Sequence, residues 1–193
     1  MLLAVLILAT ILSGCNWEWS PALTPEEAAR RSVIVFDNKF AHFQVVDRRP
    51  VADGSVLVFY QAWDAPRLVS IYGYVLAERD GLSWVAAVGA GGSSTGAPRE
   101  ELVHYGLGRN SRGDDAQDLV VVYGEVLVPE VFAVEVLFDD GTTRRDSADH
   151  GFFALAGLDV NACELRVLGA DEELLREIDL VAAHDLPRGQ CPP

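Results

Sequence analysis

Ser55-Val56-Leu57-Val58-Phe59-Tyr60-Gln61-Ala62-Trp63 decides the fold. The run is rich in β-branched and aromatic residues, which suits a strand. Its apolar residues occupy both parities: Val56, Val58 and Tyr60 on one, Leu57, Phe59 and Trp63 on the other. Successive side chains of a strand point to opposite faces. A strand apolar on both faces is covered on both. Working outward, residues 43–48 read as a preceding strand and 68–78 as a following one. Residues 83–88 make a fourth, after the hairpin signal Asp80-Gly81. The cover on one face is a helix that starts at Thr24-Pro25-Glu26-Glu27. Thr24 caps it, Pro25 suits the first helical position and Glu27 closes a capping box. Extended to about Phe36, it offers Ala28, Val33, Ile34, Val35 and Phe36 for burial. Residues 24–90 therefore read as an α+β half, a helix on an antiparallel sheet.

The next boundary signal is Gly91-Gly92-Ser93-Ser94-Thr95-Gly96-Ala97-Pro98. Residues 91–117 read as a linker with a short strand at 102–107 inside it. Beyond it, strands are expected at 119–128, 132–138, 142–146, 152–156, 162–168 and 174–179. Asp139-Asp140-Gly141 closes one hairpin. Short strands at this spacing predict an all-β sandwich-like module over 118–193. The expected fold class is thus an α+β N-terminal half followed by an all-β sandwich-like C-terminal module.

The chain has 193 residues, with 29 acidic against 15 basic side chains and a formal net charge of −14. Phosphate contacts supply most nucleic-acid affinity, so a body this acidic is not expected to bind nucleic acid. Anionic lipid headgroups repel it as well. The charges are spread along the chain and read as a solvated surface.

Leu12-Ser13-Gly14-Cys15 ends an uncharged apolar run that begins at Leu2. A membrane-spanning helix needs about 20 apolar residues, and this run breaks sooner, at the length of a signal-peptide core. Leu, two small residues and Cys at that place resemble a bacterial lipobox. The resemblance implies that residues 1–14 are a cleaved lipoprotein signal peptide and that Cys15 carries a diacylglyceryl group. Two or more acyl chains anchor stably, at about 0.8 kcal/mol per buried methylene. The expected location is the bacterial cell envelope, with the body outside the cytoplasm. Residues 15–23 form a tether, whose Trp17 and Trp19 either sit at the membrane interface or pack on the body.

With Cys15 assigned to lipid, Cys163 and Cys191 remain as an even pair in an oxidising compartment, where such pairs bridge. Neither has a CxxC partner, so no metal or redox site is expected there. The stretches Tyr123-Gly124-Glu125-Val126, Pro129-Glu130-Val131, Phe138-Asp139-Asp140-Gly141 and Gly151-Phe152-Phe153 resemble a C-terminal β-module of uncharacterised bacterial secreted proteins and lipoproteins. That likeness implies a fold and carries no activity.

Candidate chemistry is sparse. The glycine-rich 89–96 lacks the Gly-Lys-Ser/Thr of a phosphate loop and reads as a flexible loop. His42, His104, His150 and His184 share no ligand spacing, and no Gly-x-Ser-x-Gly elbow exposes a serine. Asn110, Asp114, Asp115 and Asp118 supply oxygens without the spacing of a calcium loop. Tyr60, Trp63, Tyr72, Tyr74 and Trp84 read as core. No cofactor, metal or catalytic set is expected. The chain reads as a non-catalytic binding or structural lipoprotein. The alternative is an envelope hydrolase with a site between the two halves.

Overall fold

A computed structural model describes residues 21–36, 42–51, 53–64, 69–94, 101–110, 118–148, 151–183 and 191. The helix starts where its capping residues ask. The Glu27 N–H donates to Thr24 Oγ1 at 3.1 Å, and the Glu27 carboxylate accepts from the Leu23 N–H at 2.8 Å. Helix α1 (Pro25–Phe36) then buries Ala29 and Val33 against Val58, Tyr60, Ala62 and Val75.

Among the described residues, eleven strands follow. The first sheet is an antiparallel meander of β1 (His42–Pro50), β2 (Val56–Asp64), β3 (Val69–Asp80) and β4 (Ser83–Ser94). Asp80 pairs with Ser83, so Gly81 and Leu82 make a two-residue turn, with Gly81 at φ +61°. That left-handed conformation favours glycine. The second sheet holds β5 (Val103–Asn110), β6 (Leu119–Val126) and β9 (Phe152–Leu158), with β6 central. The third holds β7 (Ala133–Phe138), β8 (Thr143–Asp146), β10 (Ala162–Leu168) and β11 (Leu174–Asp179) in the order β11-β10-β7-β8.

Strand β6 explains how the layers stack. Its Leu119, Val121 and Tyr123 pack with Leu57, Phe59, Tyr72, Tyr74 and Leu76 of the first sheet. Its Val120 and Val122 pack with Val134, Val136, Phe138, Leu165 and Val167 of the third. The second sheet is thus the shared middle layer, and α1 lies on the outer face of the first.

This corrects the expected fold class. Among the described residues the chain is mostly β, with three antiparallel sheets and a single helix longer than one turn, and it does not divide into an α+β half and a free-standing sandwich. The two-sided burial inferred for β2 has its second cover in β6, from the other half of the sequence. Leu119-Val120-Val121-Val122 is apolar on both parities too, so each run is the other's missing layer.

The segment expected as a linker also contributes strand. Strand β4 continues through Gly89, Gly91 and Gly92 to Ser94, and β5 is Val103–Asn110. The glycines are a packing device here, not a flexible loop. The Tyr60 hydroxyl lies where a Cβ on either Gly73 or Gly91 would come within 3.0 Å of it. The tyrosine fills space that side chains on the neighbouring strands would otherwise occupy.

Candidate binding cleft

The side of β4 that faces the helix carries little side-chain volume. Ala86, Gly89 and Gly91 lie beside Ser32 and Val33 of α1, over a floor of Tyr60, Ile71 and Val75. The result is a cleft of about 420 Å³, within the range of small-molecule and side-chain sites. No charged residue lines it among the described residues, and residues 81–98 of the sequence carry no charge at all. The strand forming its wall is the outermost of the first sheet. One residue pairs with its open side among the described residues: the Trp84 N–H donates to the Ala22 carbonyl at 2.9 Å.

A second constellation joins the first and second sheets. Glu125 on β6 is buried, and its Oε1 accepts from Ser70 Oγ at 2.7 Å and Gln61 Nε2 at 2.8 Å. Burial raises the neighbouring Tyr72 phenol above its ordinary value, and the Glu125 and Glu101 carboxylates push it the same way. His104 is the register partner of Glu125, but its Nε2 lies 2.6 Å from a Glu101 carboxylate oxygen. His42 sits on β1, in another sheet. His150 and His184 lie outside the described residues. The Ser70 hydroxyl paired with the Glu125 carboxylate is only 5% exposed. The arrangement fastens two layers and offers no open nucleophile.

The tyrosines form a second internal device. Tyr123 meets Tyr72 and Tyr74 edge-on, with ring centroids 6.0 and 5.3 Å apart. Asn110 Nδ2 donates to the Tyr74 hydroxyl at 2.5 Å. Burial raises the phenols of Tyr60, Tyr72, Tyr74 and Tyr123, and Tyr123 is raised furthest because its neighbours are phenols as well. Of the aromatics expected in the core, Tyr60, Tyr72 and Tyr74 are buried, whereas Trp63 is exposed and Trp84 half-buried.

Cys163 on β10 and Cys191 are joined by a disulfide, with Cα atoms 5.7 Å apart. Cys15 and the tether tryptophans lie outside the described residues, as do Asp114 and Asp115. Of the other two oxygen-bearing residues of that set, Asn110 donates through Nδ2 to the Tyr74 hydroxyl, and the Asp118 carboxylate accepts from Arg109 at 3.1 Å. No group of three His, Cys, Asp or Glu side chains converges among the described residues, and no described helix is long and apolar enough to cross a membrane. Sequence reading missed the cleft. Its one local signal is Ala86-Ala87-Val88-Gly89-Ala90-Gly91, a strand almost without side chains beside strands crowded with aromatics.

Compared with protein-family models, with curated proteins and with solved structures, the chain matches none.

Proposed function

We propose that the protein is a non-catalytic binding module of the bacterial envelope, held to a membrane by lipid on Cys15, and that it takes an apolar group into the cleft between α1 and β4. The observation that carries this reading is the cleft itself: an uncharged, aromatic-floored recess on a body of formal charge −14. An apolar concavity on a strongly charged surface is a preferred place for a ligand. The anchoring part of the reading comes from the lipobox resemblance at Leu12-Ser13-Gly14-Cys15. The Ser70–Glu125 pair does not favour the alternative hydrolase reading, because its hydroxyl is shut off from solvent.

Two measurements test the two parts. A fatty-acid analogue fed to expressing cells labels the wild type, and Cys15→Ala abolishes the label and moves the protein out of the membrane fraction. Equal labelling of both would sink the anchor. For the cleft, a neutral naphthylamine dye brightens on binding, and Ser32→Phe, which fills the recess from the helix side, weakens its binding at least tenfold. A dye that ignores Ser32→Phe would sink the site.

A further inference from the structure

We infer that β4 is a strand-addition site, and that its occupant is an extended segment of another protein carrying a bulky apolar side chain between basic flanks. This rests on the cleft reading above and names what enters it.

The three described sheets present six edges. An exposed edge presents unpaired N–H and C=O groups to any passing strand, and proteins blunt it with charge, proline, shortness or cover. Five edges here are blunted in this way. Strand β1 carries Asp47, Arg48, Arg49 and Pro50. Strand β8 has only 4 residues, three of them charged. Strand β11 bears Arg176, Glu177 and Asp179. Strand β5 carries a charged side chain of its own, Arg109, near its end. Strand β9 has no charge of its own, and its neighbour guards it. The Asp146 carboxylate accepts from the Ala154 N–H at 3.0 Å, and the Arg144 guanidinium donates to the Ala156 carbonyl.

Strand β4 is the exception. It is 12 residues long and holds neither charge nor proline. Its open side has already accepted one rung, from Ala22 to Trp84, at one end. Val85, Ala86, Ala87, Gly89 and Gly91 beyond that rung are exposed. An added strand continues from there with main-chain bonds, and alternate side chains fall on the cleft face.

Two observations choose the occupant. A second copy of β4 would bring Ala86, Gly89 and Gly91 to the cleft face and leave about 420 Å³ unfilled. A segment with an aromatic or branched side chain fills it. The body's charge of −14 opposes an acidic partner and favours basic residues on either side of that anchor.

The probe is a fluorescein-labelled nonapeptide of alternating valine and threonine, with a central phenylalanine and a lysine at each end. Its binding to the full chain is followed by anisotropy. Alongside it run a copy N-methylated at alternate amides and the naphthylamine dye. Strand addition predicts saturable peptide binding, at least tenfold weaker for the N-methylated copy and for Ser32→Phe, with slowed amide exchange in β4. Thermal melting of Ser32→Phe at the wild-type temperature shows that the variant is folded. Equal binding of the two peptides overturns strand addition and leaves the cleft as a side-chain pocket. Dye binding without peptide binding does the same. Failure of both ligands overturns the cleft reading as well.

Discussion

Alkali should unfold this protein cooperatively well above pH 10, and the tyrosines set the magnitude. Tyr60, Tyr72, Tyr74 and Tyr123 are at most 6% exposed. Burial raises each phenol above its ordinary value. A phenol is neutral when protonated, so the folded state keeps protons that the unfolded chain sheds near pH 10. Below pH 10 both states are protonated and the stability is complete. Above it the unfolded state binds fewer protons, and stability falls by about 1.4 kcal/mol per pH unit for each tyrosine. While all four stay protonated in the folded state, they give a slope of up to about 5.5 kcal/mol per unit. Against the stability of about 5–15 kcal/mol typical of a folded domain, that places the midpoint at least about one unit above pH 10. The assay follows phenolate absorbance and far-ultraviolet circular dichroism in the same samples. Both should change together and steeply. Phenolate appearing smoothly around pH 10, with β-structure intact, would refute the reasoning, because it would mean these hydroxyls reach solvent in the folded state.

Three further outcomes are expected. Glu125→Ala leaves the Ser70 and Gln61 donors without their shared acceptor and should lower stability by about 1–3 kcal/mol in urea; Glu125→Gln keeps an acceptor there and should cost less, and the reverse order would count against the network. Gly108→Ala puts a methyl 2.8 Å from the Tyr74 ring in a packed interface, an overpacking worth about 1–3 kcal/mol; an unchanged melting temperature would mean the two sheets are not held as tightly as described. Cys163→Ser opens a bridge that closes 28 residues of sequence and should lower stability by about 3–4 kcal/mol in the chain-entropy account; the wild type in reductant should match the variant.

Much of the local structure is legible in the sequence, because its causes are local. The α1 start is fixed within four residues, by Thr24 and Glu27. Strands β10 and β11 fall on the expected 162–168 and 174–179, where alternation and turn residues agree. What escapes is set at long range. Gly91 and Gly92 look like a loop until Tyr60 and Tyr72 are known to lie across them. Glu125 looks like a surface charge in an apolar strand, because its partners are 55 and 64 residues away. The cleft escapes for a related reason: it is volume left by residues without side chains, framed by a helix and a floor from two other strands. The stacking of the three sheets is hidden by the same limit. A run apolar on both faces announces that it needs two covers and does not say which run supplies the second.

The shared middle layer has a consequence for how the chain is made. Leu57, Phe59, Tyr74 and Leu76 emerge early, but part of their cover, Phe152 and Ala154 on β9, is synthesised last among their neighbours. At roughly 5–20 residues per second, the first sheet waits several seconds with a bare apolar face and an unguarded edge at β4. The newborn chain is therefore most prone to stray pairing in that interval, and a holding chaperone that shields residues 56–94 until β9 arrives would raise the yield of folded protein.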